Sequence, residues 1–164
     1  MKERNRTTLC YIEREDEWLF IHKTRENDPN QGLYLGVGGH IEEGETPEQC
    51  IRREIREETT LDTERELKNL CQTGIIKFVS DKYGTEYMYV YKAGLNTSRE
   101  LCPGNCSEGK LLWIKKNQVK DLPIWEGDKL MFDKLLSNSR FFLYLEYEGN
   151  RLVTARDLKE DECF

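Results

Sequence analysis

Three glutamates, Glu54, Glu57 and Glu58, are spaced so that their carboxylates could act together. They stand at i, i+3 and i+4, which places them on one face of a helix at about 100° per residue. The apolar positions Ile51 and Ile55 lie beside them, so we expect the carboxylates at the edge of buried surface. Like charges at this spacing repel each other, and partial burial raises a carboxyl pKa. A divalent cation would remove both penalties.

The ligand type favours a hard cation. Carboxylate oxygens suit Mg²⁺ or Mn²⁺ better than zinc, and Mg²⁺ often bridges protein carboxylates to nucleotide phosphates. The alternative is a solvated acidic helix face that is offset by Arg52, Arg53 and Arg56, with Arg53 and Glu57 as an ordinary ion pair. The helix pattern alone leaves both interpretations open.

Two elements must position these carboxylates. Thr46, Pro47 and Gln49 have the types and spacing of a helix start with a capping box, so we predict a helix over Pro47–Thr59. Before it, four glycines within residues 32–39 allow the backbone to pass close to another group, above all at positions 38 and 39.

The remaining pattern predicts a sheet with few helices. Residues 7–12 and 18–22 have β-branched and aromatic side chains on either side of a charged turn at 13–17, which is typical of a hairpin. Helical segments are predicted at 117–122 and 128–136. Together these elements indicate an α/β (α+β) fold with a mixed sheet. The other predicted strands are 74–80, 86–93, 110–114, 141–147 and 151–154.

Length and charge exclude several classes of protein. A chain of 164 residues corresponds to about one domain, which we place at residues 1–164. The net charge is −6 and no Lys/Arg block is present, which argues against binding of a nucleic acid polymer. The longest apolar run, 141–145, is too short to cross a membrane, and the start of the chain has no hydrophobic leader. We therefore expect a cytoplasmic protein with no membrane contact.

Six cysteines are present, and without a secretory leader we expect them to be free thiols. Cys102 and Cys106 form the one close pair, with neither His22 nor His40 near it in sequence. This pair is either a turn that carries two thiols or part of a zinc site.

The segment from Gly39 to Leu61 reads G-x5-E-x7-R-E-I-x-E-E-x-T-L and resembles the signature of the Nudix hydrolases. That family has glycine where this chain has Thr60. Glycine at the end of a helix serves a left-handed turn, so Thr60 implies a different exit or local strain. The resemblance implies the Nudix fold, a mixed β-sheet sandwiched between α-helices.

The resemblance also implies roles for the matching residues. The metal ligands would be Glu54, Glu57 and Glu58, helped by the carbonyl of Gly38. The ion pair of Arg53 with Glu45 would fix the loop to the helix. The reaction would be attack of water on phosphorus in a nucleoside diphosphate that is linked to another group, with Mg²⁺ as cofactor and Mn²⁺ as a substitute.

Beyond the signature, residues 8–157 look similar to the MutT-like enzymes that remove oxidised purine triphosphates. Glu108 stands five residues before Trp113, where these enzymes have a further metal ligand or base; the alternative is a turn glutamate. The resemblance implies that Trp125 stacks on the base and that Asp128, with Glu126 as second choice, reads the purine edge. The alternatives are that Trp125 belongs to the core and that Asp128 is a helix N-cap.

Four positions around this pocket are ambiguous. Some relatives have an asparagine at the position of Leu35, and a leucine cannot hydrogen-bond a base. Lys23 and Arg25 either contact phosphates or lie in a solvated loop. His40 is either a base or a surface residue.

We therefore expect hydrolysis of a nucleoside triphosphate to the monophosphate and pyrophosphate by a monomer or homodimer. An oxidised purine nucleotide such as 8-oxo-dGTP is the favoured substrate, which would connect the protein to nucleotide-pool sanitation and DNA repair. The alternatives are a pyrophosphatase for ADP-ribose, dinucleotides or another nucleoside diphosphate derivative, and a nucleotide-sensing module without turnover.

Overall fold

A computed structural model describes residues 5–101, 105–106 and 108–162. These ranges hold ten strands, two α-helices and two short 3₁₀ segments, Lys116–Asp121 and Glu160–Glu162. The helices are α1 (Pro47–Thr59) and α2 (Glu126–Leu136). The strands are β1 (Asn5–Arg14), β2 (Glu17–Lys23), β3 (Tyr34–Leu35), β4 (Val37–His40), β5 (Leu67–Ser80), β6 (Gly84–Leu95), β7 (Asn105–Cys106), β8 (Gly109–Lys115), β9 (Phe141–Glu148) and β10 (Arg151–Asp157).

The strands form one mixed sheet in the order β10-β9-β5-β6-β1-β2-β8-β7, with β3 paired to β2 and β4 paired to β1. The pairs β1–β6 and β5–β9 are parallel, and the other pairs are antiparallel. The predicted mixed α+β class is therefore confirmed.

The core lies on both faces of this sheet. Ile51 and Ile55 of α1 pack in one buried cluster with Cys10 and Ile12 of β1. The second cluster contains Tyr11, the residue between those two, together with side chains of α2. Successive side chains of a strand point to opposite faces, so the two helices cover opposite faces of the sheet.

Strand β1 has three partners, and this arrangement positions the site. Near the turn it pairs with β2, through Glu13 with Trp18 and Arg14 with Glu17. Residues 7–10 pair with β4, while residues 5–13 pair in parallel with β6. The predicted hairpin is present, but its turn is shorter than 13–17 because the charged residues at its ends join the backbone ladder. Strand β1 thereby holds the glycine-rich strand β4 against the sheet.

Several predicted bounds are wrong. Strand β5 begins at Leu67 and not at residue 74, because its polar first half pairs with β6 through two register shifts. Helix α2 begins at Glu126, two residues before the predicted start. Within the described ranges, no helix is long and apolar enough to span a membrane.

Candidate active site

Helix α1 begins and ends as its sequence requires. The Thr46 hydroxyl accepts a hydrogen bond from the Gln49 amide at 3.1 Å, and the Gln49 side chain accepts one from the Thr46 amide at 2.9 Å. This is the predicted capping box. At the other end Thr60 has φ 63° and ψ 8°, a left-handed conformation. The chain keeps the exit that glycine would favour, so of the two consequences predicted for Thr60 the structure has local strain.

The two glycines of β4 bring this strand into contact with α1. Gly38 lies opposite Leu9 and Gly39 opposite Thr8 on β1. A Cβ atom on Gly38 would lie 1.9 Å from the Thr8 carbonyl oxygen, and one on Gly39 would lie 2.4 Å from Oε1 of Glu54. A side chain at position 38 would therefore meet the backbone of β1, and one at position 39 would meet the Glu54 carboxylate.

Arg53 connects the loop before α1 to the carboxylates on α1. Its Nε and Nη2 donate to the two oxygens of Glu45 at 2.8 and 3.0 Å, and its Nη1 donates to Oε1 of Glu54 at 2.9 Å. The bidentate bond lowers the pKa of Glu45 to about 2. Arg53 also lies 3.4 Å from Glu57, whose side chain is 57% exposed. The ion pair that the resemblance implies is thus present, together with the ordinary helical pair.

Glu58 is the buried carboxylate of α1. Its Oε2 accepts a hydrogen bond from the Gly38 amide at 3.3 Å, whereas its Oε1 is buried without a partner among the described residues. Burial, followed by the charges of Glu108 and Glu54, raises the pKa of Glu58 to about 9. Burial also raises the pKa of Glu54, against the lowering effect of Arg53. Glu54 and Glu58 therefore experience the repulsion that the sequence predicts.

Glu108, at the turn before β8, joins this group from another part of the chain. Its charge raises the pKa of both Glu54 and Glu58, which places it beside them. Lys23 contacts Oε2 of Glu108 at 2.5 Å and Oδ2 of Asp28 at 4.0 Å. The Lys23 side chain is 11% exposed, so the interpretation of a solvated loop lysine is wrong. Lys23 is thus a mostly buried counterion of Glu108.

The donor set fits a hard cation. Among the described residues, no three His, Cys, Asp or Glu side chains form a ready-made metal site. However, an orphaned carboxylate oxygen on Glu58, close to the charges of Glu54 and Glu108, is the environment that a cation stabilises. The amide of Gly38 contacts Glu58, and the role of its carbonyl stays a prediction.

A cavity of about 500 Å³ has Glu108, one of these carboxylates, in its wall. One part of its wall is formed by the charged residues Lys23 and Glu108 and by two glycines, Gly38 and Gly39. Another part is apolar and aromatic. It contains Leu9, Leu35, Phe78, Met88, Trp125, Leu145 and Tyr147, together with the carboxyl group of Asp128. A ligand with a flat apolar group and an anionic group matches both parts.

Trp125 belongs both to the core and to the cavity wall. Its ring stands edge-on to Phe78 and Tyr147, at centroid distances of 6.0 and 5.2 Å. Its Nε1 donates a hydrogen bond to Oδ1 of Asn30 at 2.8 Å. The sequence pattern does not single out Asn30, because the Asp-Pro-Asn segment around it is typical of any polar loop.

Asp128 is not a helix N-cap. Trp125 occupies that position without a side-chain cap, and Asp128 follows within the first turn of α2. The Asp128 carboxyl is buried with Oδ2 unpartnered among the described residues, and burial raises its pKa to about 7. The alternative of a capping role is therefore wrong.

The other predicted positions are less involved. Glu126 is exposed, and His40 and Arg25 are exposed residues of the cavity wall, with Arg25 3.7 Å from Asp28. Three cysteines are free, as expected: Cys10, Cys50 and Cys71. The Cys102–Cys106 pair lies outside the described residues, apart from the backbone of Cys106.

The chain is similar to known proteins in sequence and in structure. The family model of the NUDIX domain matches residues 3–135. The oxidized purine nucleoside triphosphate hydrolase of Danio rerio is 30% identical over 135 residues, which is 80% of each chain. The uncharacterized Nudix hydrolase YvcI of Bacillus subtilis is 28% identical over 135 residues, 80% of this chain and 78% of YvcI. The crystal structure of a MutT protein from Bacillus halodurans matches with a TM-score of 0.78 and 28% identity, and the match covers 93% of this chain and 97% of that one.

Proposed function

Because this chain belongs to the Nudix hydrolase family, we propose that it hydrolyses a nucleoside triphosphate to the monophosphate and pyrophosphate. The observation that carries the proposal is the cavity, whose wall combines aromatic side chains and the buried carboxyl of Asp128 with Glu108, a member of the carboxylate cluster. The favoured substrate is an oxidised purine nucleotide such as 8-oxo-dGTP. This choice agrees with the name of the Danio rerio relative and connects the protein to cytoplasmic nucleotide-pool sanitation.

Glu54, Glu57, Glu58 and Glu108, with the carbonyl of Gly38, are the groups that would hold Mg²⁺, for which Mn²⁺ would substitute. A bound cation would neutralise charge on the phosphates and acidify a water molecule. Arg53 keeps Glu54 and Glu45 in place. Lys23 would contact the phosphates, because its ammonium group lies in the cavity wall beside Glu108.

The proposed reaction forms one bond, breaks one bond and transfers one proton. The water oxygen forms a bond to phosphorus, the phosphoanhydride bond between the α- and β-phosphoryl groups breaks, and a carboxylate accepts the proton of the water. At the other end of the cavity, Trp125 would stack on the base. A protonated Asp128 both donates and accepts, which suits a purine edge.

The proposal is tested by measuring pyrophosphate and phosphate release from a panel of substrates, with Mg²⁺ and with a chelator. The panel contains dNTPs, 8-oxo-dGTP, ADP-ribose and dinucleotide polyphosphates. We expect release of pyrophosphate that requires the metal and is fastest with 8-oxo-dGTP. Preferred cleavage of ADP-ribose or a dinucleotide would replace 8-oxo-dGTP as the proposed substrate. Leu35 in the cavity wall would then explain this preference, because a leucine cannot hydrogen-bond a base. No turnover of any substrate would favour a nucleotide sensor.

Glu57→Gln provides the matched test of the carboxylates. Glu57 is exposed on α1, so its amide variant should keep the fold and lose at least about 100-fold in turnover, since a charged group that acts in the transition state is removed. Glu48→Gln is the control, because Glu48 is an exposed glutamate of the same helix that pairs with Arg52. Full activity of the Glu57 variant would contradict the proposed role.

A further inference from the structure

The geometry points to Asn30 as a specificity-determining residue that selects a base with a hydrogen-bond acceptor at the purine 6-position. Asn30 lies in the cavity wall with Trp125, Asp128 and Leu35. The inference rests on the proposed function in that it takes this end of the cavity as the base pocket.

The hydrogen bond with Trp125 fixes the orientation of the Asn30 amide. An indole N–H only donates, so the atom 2.8 Å from it must be the carbonyl oxygen of Asn30. The amide NH₂ is then the other arm of the same planar group. No described residue accepts a hydrogen bond from this NH₂. It is also not one of the fully buried polar groups that have no partner. Its two donors are available to a ligand in the cavity.

The loop holds Asn30 firmly before any ligand binds. The Asn30 amide N–H donates to Oδ1 of Asp28 at 2.8 Å, and its carbonyl accepts from Leu33 at 2.9 Å. Asp28 is itself nearly buried and lies 4.0 Å from Lys23. The amide of Tyr34 donates to the carbonyl of Pro123 at 2.9 Å, which ties the end of the loop to the segment before Trp125. A donor held in this way loses little entropy when it binds a base.

The chemistry of the wall then selects the base. Leu35 offers no hydrogen bond, so Asn30 supplies fixed donors to this part of the pocket. Guanine-type bases present O6 as an acceptor, whereas adenine presents an amino donor at the same position. A fixed NH₂ can donate to O6 of a guanine-type base. Beside adenine, this NH₂ and the amino group of the base would be two donors that face each other. Asn30 therefore favours 6-oxopurines, including guanine and 8-oxoguanine.

Asn30→Asp separates base reading from support of Trp125. Aspartate keeps an acceptor for the indole N–H but replaces the NH₂ by a second acceptor. We would measure binding of dIMP and dAMP by calorimetry in the presence of a chelator. These nucleotides differ at the 6-position and at N1, which carries a hydrogen in dIMP alone, and the added negative charge acts equally on the phosphates of both. The ratio of their affinities therefore isolates the effect on the base.

We expect wild-type protein to prefer dIMP and Asn30→Asp to shift the ratio toward dAMP by about tenfold, the effect of one base-edge hydrogen bond. Asn30→Ala, which lacks both acceptor and donor, should bind both nucleotides more weakly and without preference. Unfolding curves confirm that each variant is folded.

An unchanged ratio in Asn30→Asp would assign Asn30 to the support of Trp125 alone and overturn the inference. Equal affinity of wild-type protein for both nucleotides, or binding of neither, would also overturn it. No hydrolysis takes place in this experiment, so a failure of the proposed reaction appears separately, as absence of turnover in the substrate panel.

Discussion

Glu58 and Asp128 are two buried carboxyl groups with different surroundings. Each has one oxygen without a partner among the described residues. Other carboxylates contribute to the raised pKa of Glu58, whereas burial alone raises that of Asp128. The first environment favours a cation and the second a neutral carboxyl that donates a proton to a hydrogen bond.

The pH dependence of stability should report Asp128. Its pKa is about 7 in the folded protein and about 4 in an unfolded chain. Between these values the folded state holds a proton that the unfolded state has released. The contribution of Asp128 to stability therefore falls as pH rises through this window, by at most about 1.4 kcal/mol per pH unit, and levels off above it.

Asp128→Asn should lack this part of the pH dependence. The free energy of unfolding of the variant, minus that of wild type, should increase from about pH 4 to about pH 7 and then stay constant. Urea unfolding in the presence of a chelator between pH 5 and 8 measures the difference. A constant difference across the range would contradict the assignment of a raised pKa to Asp128.

At this scale helical and strand periodicity predicts only what lies within one element, and the contacts of Arg53 with Glu45 and of Glu108 with the carboxylates are predicted from the resemblance. The helical period places Glu54, Glu57 and Glu58 together, because i, i+3 and i+4 share a face. The contacts of Asn30 with Trp125 and of Lys23 with Glu108 span 95 and 85 residues. No local periodicity encodes such pairs, so they follow from the tertiary fold.

At the scale of elements, α1 is well specified at its start and strained at its end. The capping box satisfies two backbone N–H groups at the start of the helix. At the end, Thr60 takes the left-handed conformation with a β-branched side chain. Its amide still donates to the carbonyl of Arg56, so the helix ends with an intact hydrogen bond at the expense of backbone strain.

Thr60→Gly should therefore raise the free energy of unfolding by about 1 kcal/mol, because glycine adopts this conformation without a Cβ clash. Thr60→Ala is the matched control. It removes the branch and keeps the Cβ atom, so it should gain less than the glycine variant. Denaturant unfolding measures both changes, and a loss of stability in Thr60→Gly would mean that the threonine side chain stabilises the turn.

The elements that the sequence predicts best are those whose signals are local. Thr46, Pro47 and Gln49 define the start of α1 to the residue. The first half of β5 is polar and becomes a strand through its pairing with β6, which propensity does not register. Helix α2 begins earlier than predicted because Trp125, which has no capping side chain, takes the N-cap position.

For the whole molecule, the site lies where distant parts of one sheet meet. Strand β4 on β1, helix α1 and the turn before β8 together gather the carboxylates of Glu54, Glu58 and Glu108. Their mutual repulsion opposes the fold, so a ligand that neutralises it should stabilise the entire domain.

Mg²⁺ alone should raise the melting temperature of the wild-type protein, by an amount equivalent to about 2.7 kcal/mol at a concentration 100 times the dissociation constant. Glu58→Gln should melt close to wild type without Mg²⁺ at neutral pH, since the raised pKa of Glu58 leaves this carboxyl uncharged there, and it should gain less from Mg²⁺. Glu48→Gln should behave like wild type in both respects. An equal effect of Mg²⁺ on the melting temperature of all three proteins would contradict a role of Glu58 in metal binding.

The two adjacent glycines of β4 would fail in different ways under random mutation. A side chain at position 38 meets the backbone of Thr8, whereas one at position 39 meets the carboxylate end of the Glu54 side chain. Backbone atoms of a central strand cannot move aside, but the end of a flexible side chain can swing away. In a population of variants, those with a substitution of Gly38 would therefore be lost because the protein does not fold. Variants with a substitution of Gly39 would fold and accumulate but would have no turnover. Selection for folding would therefore act on position 38, and selection for catalysis on position 39.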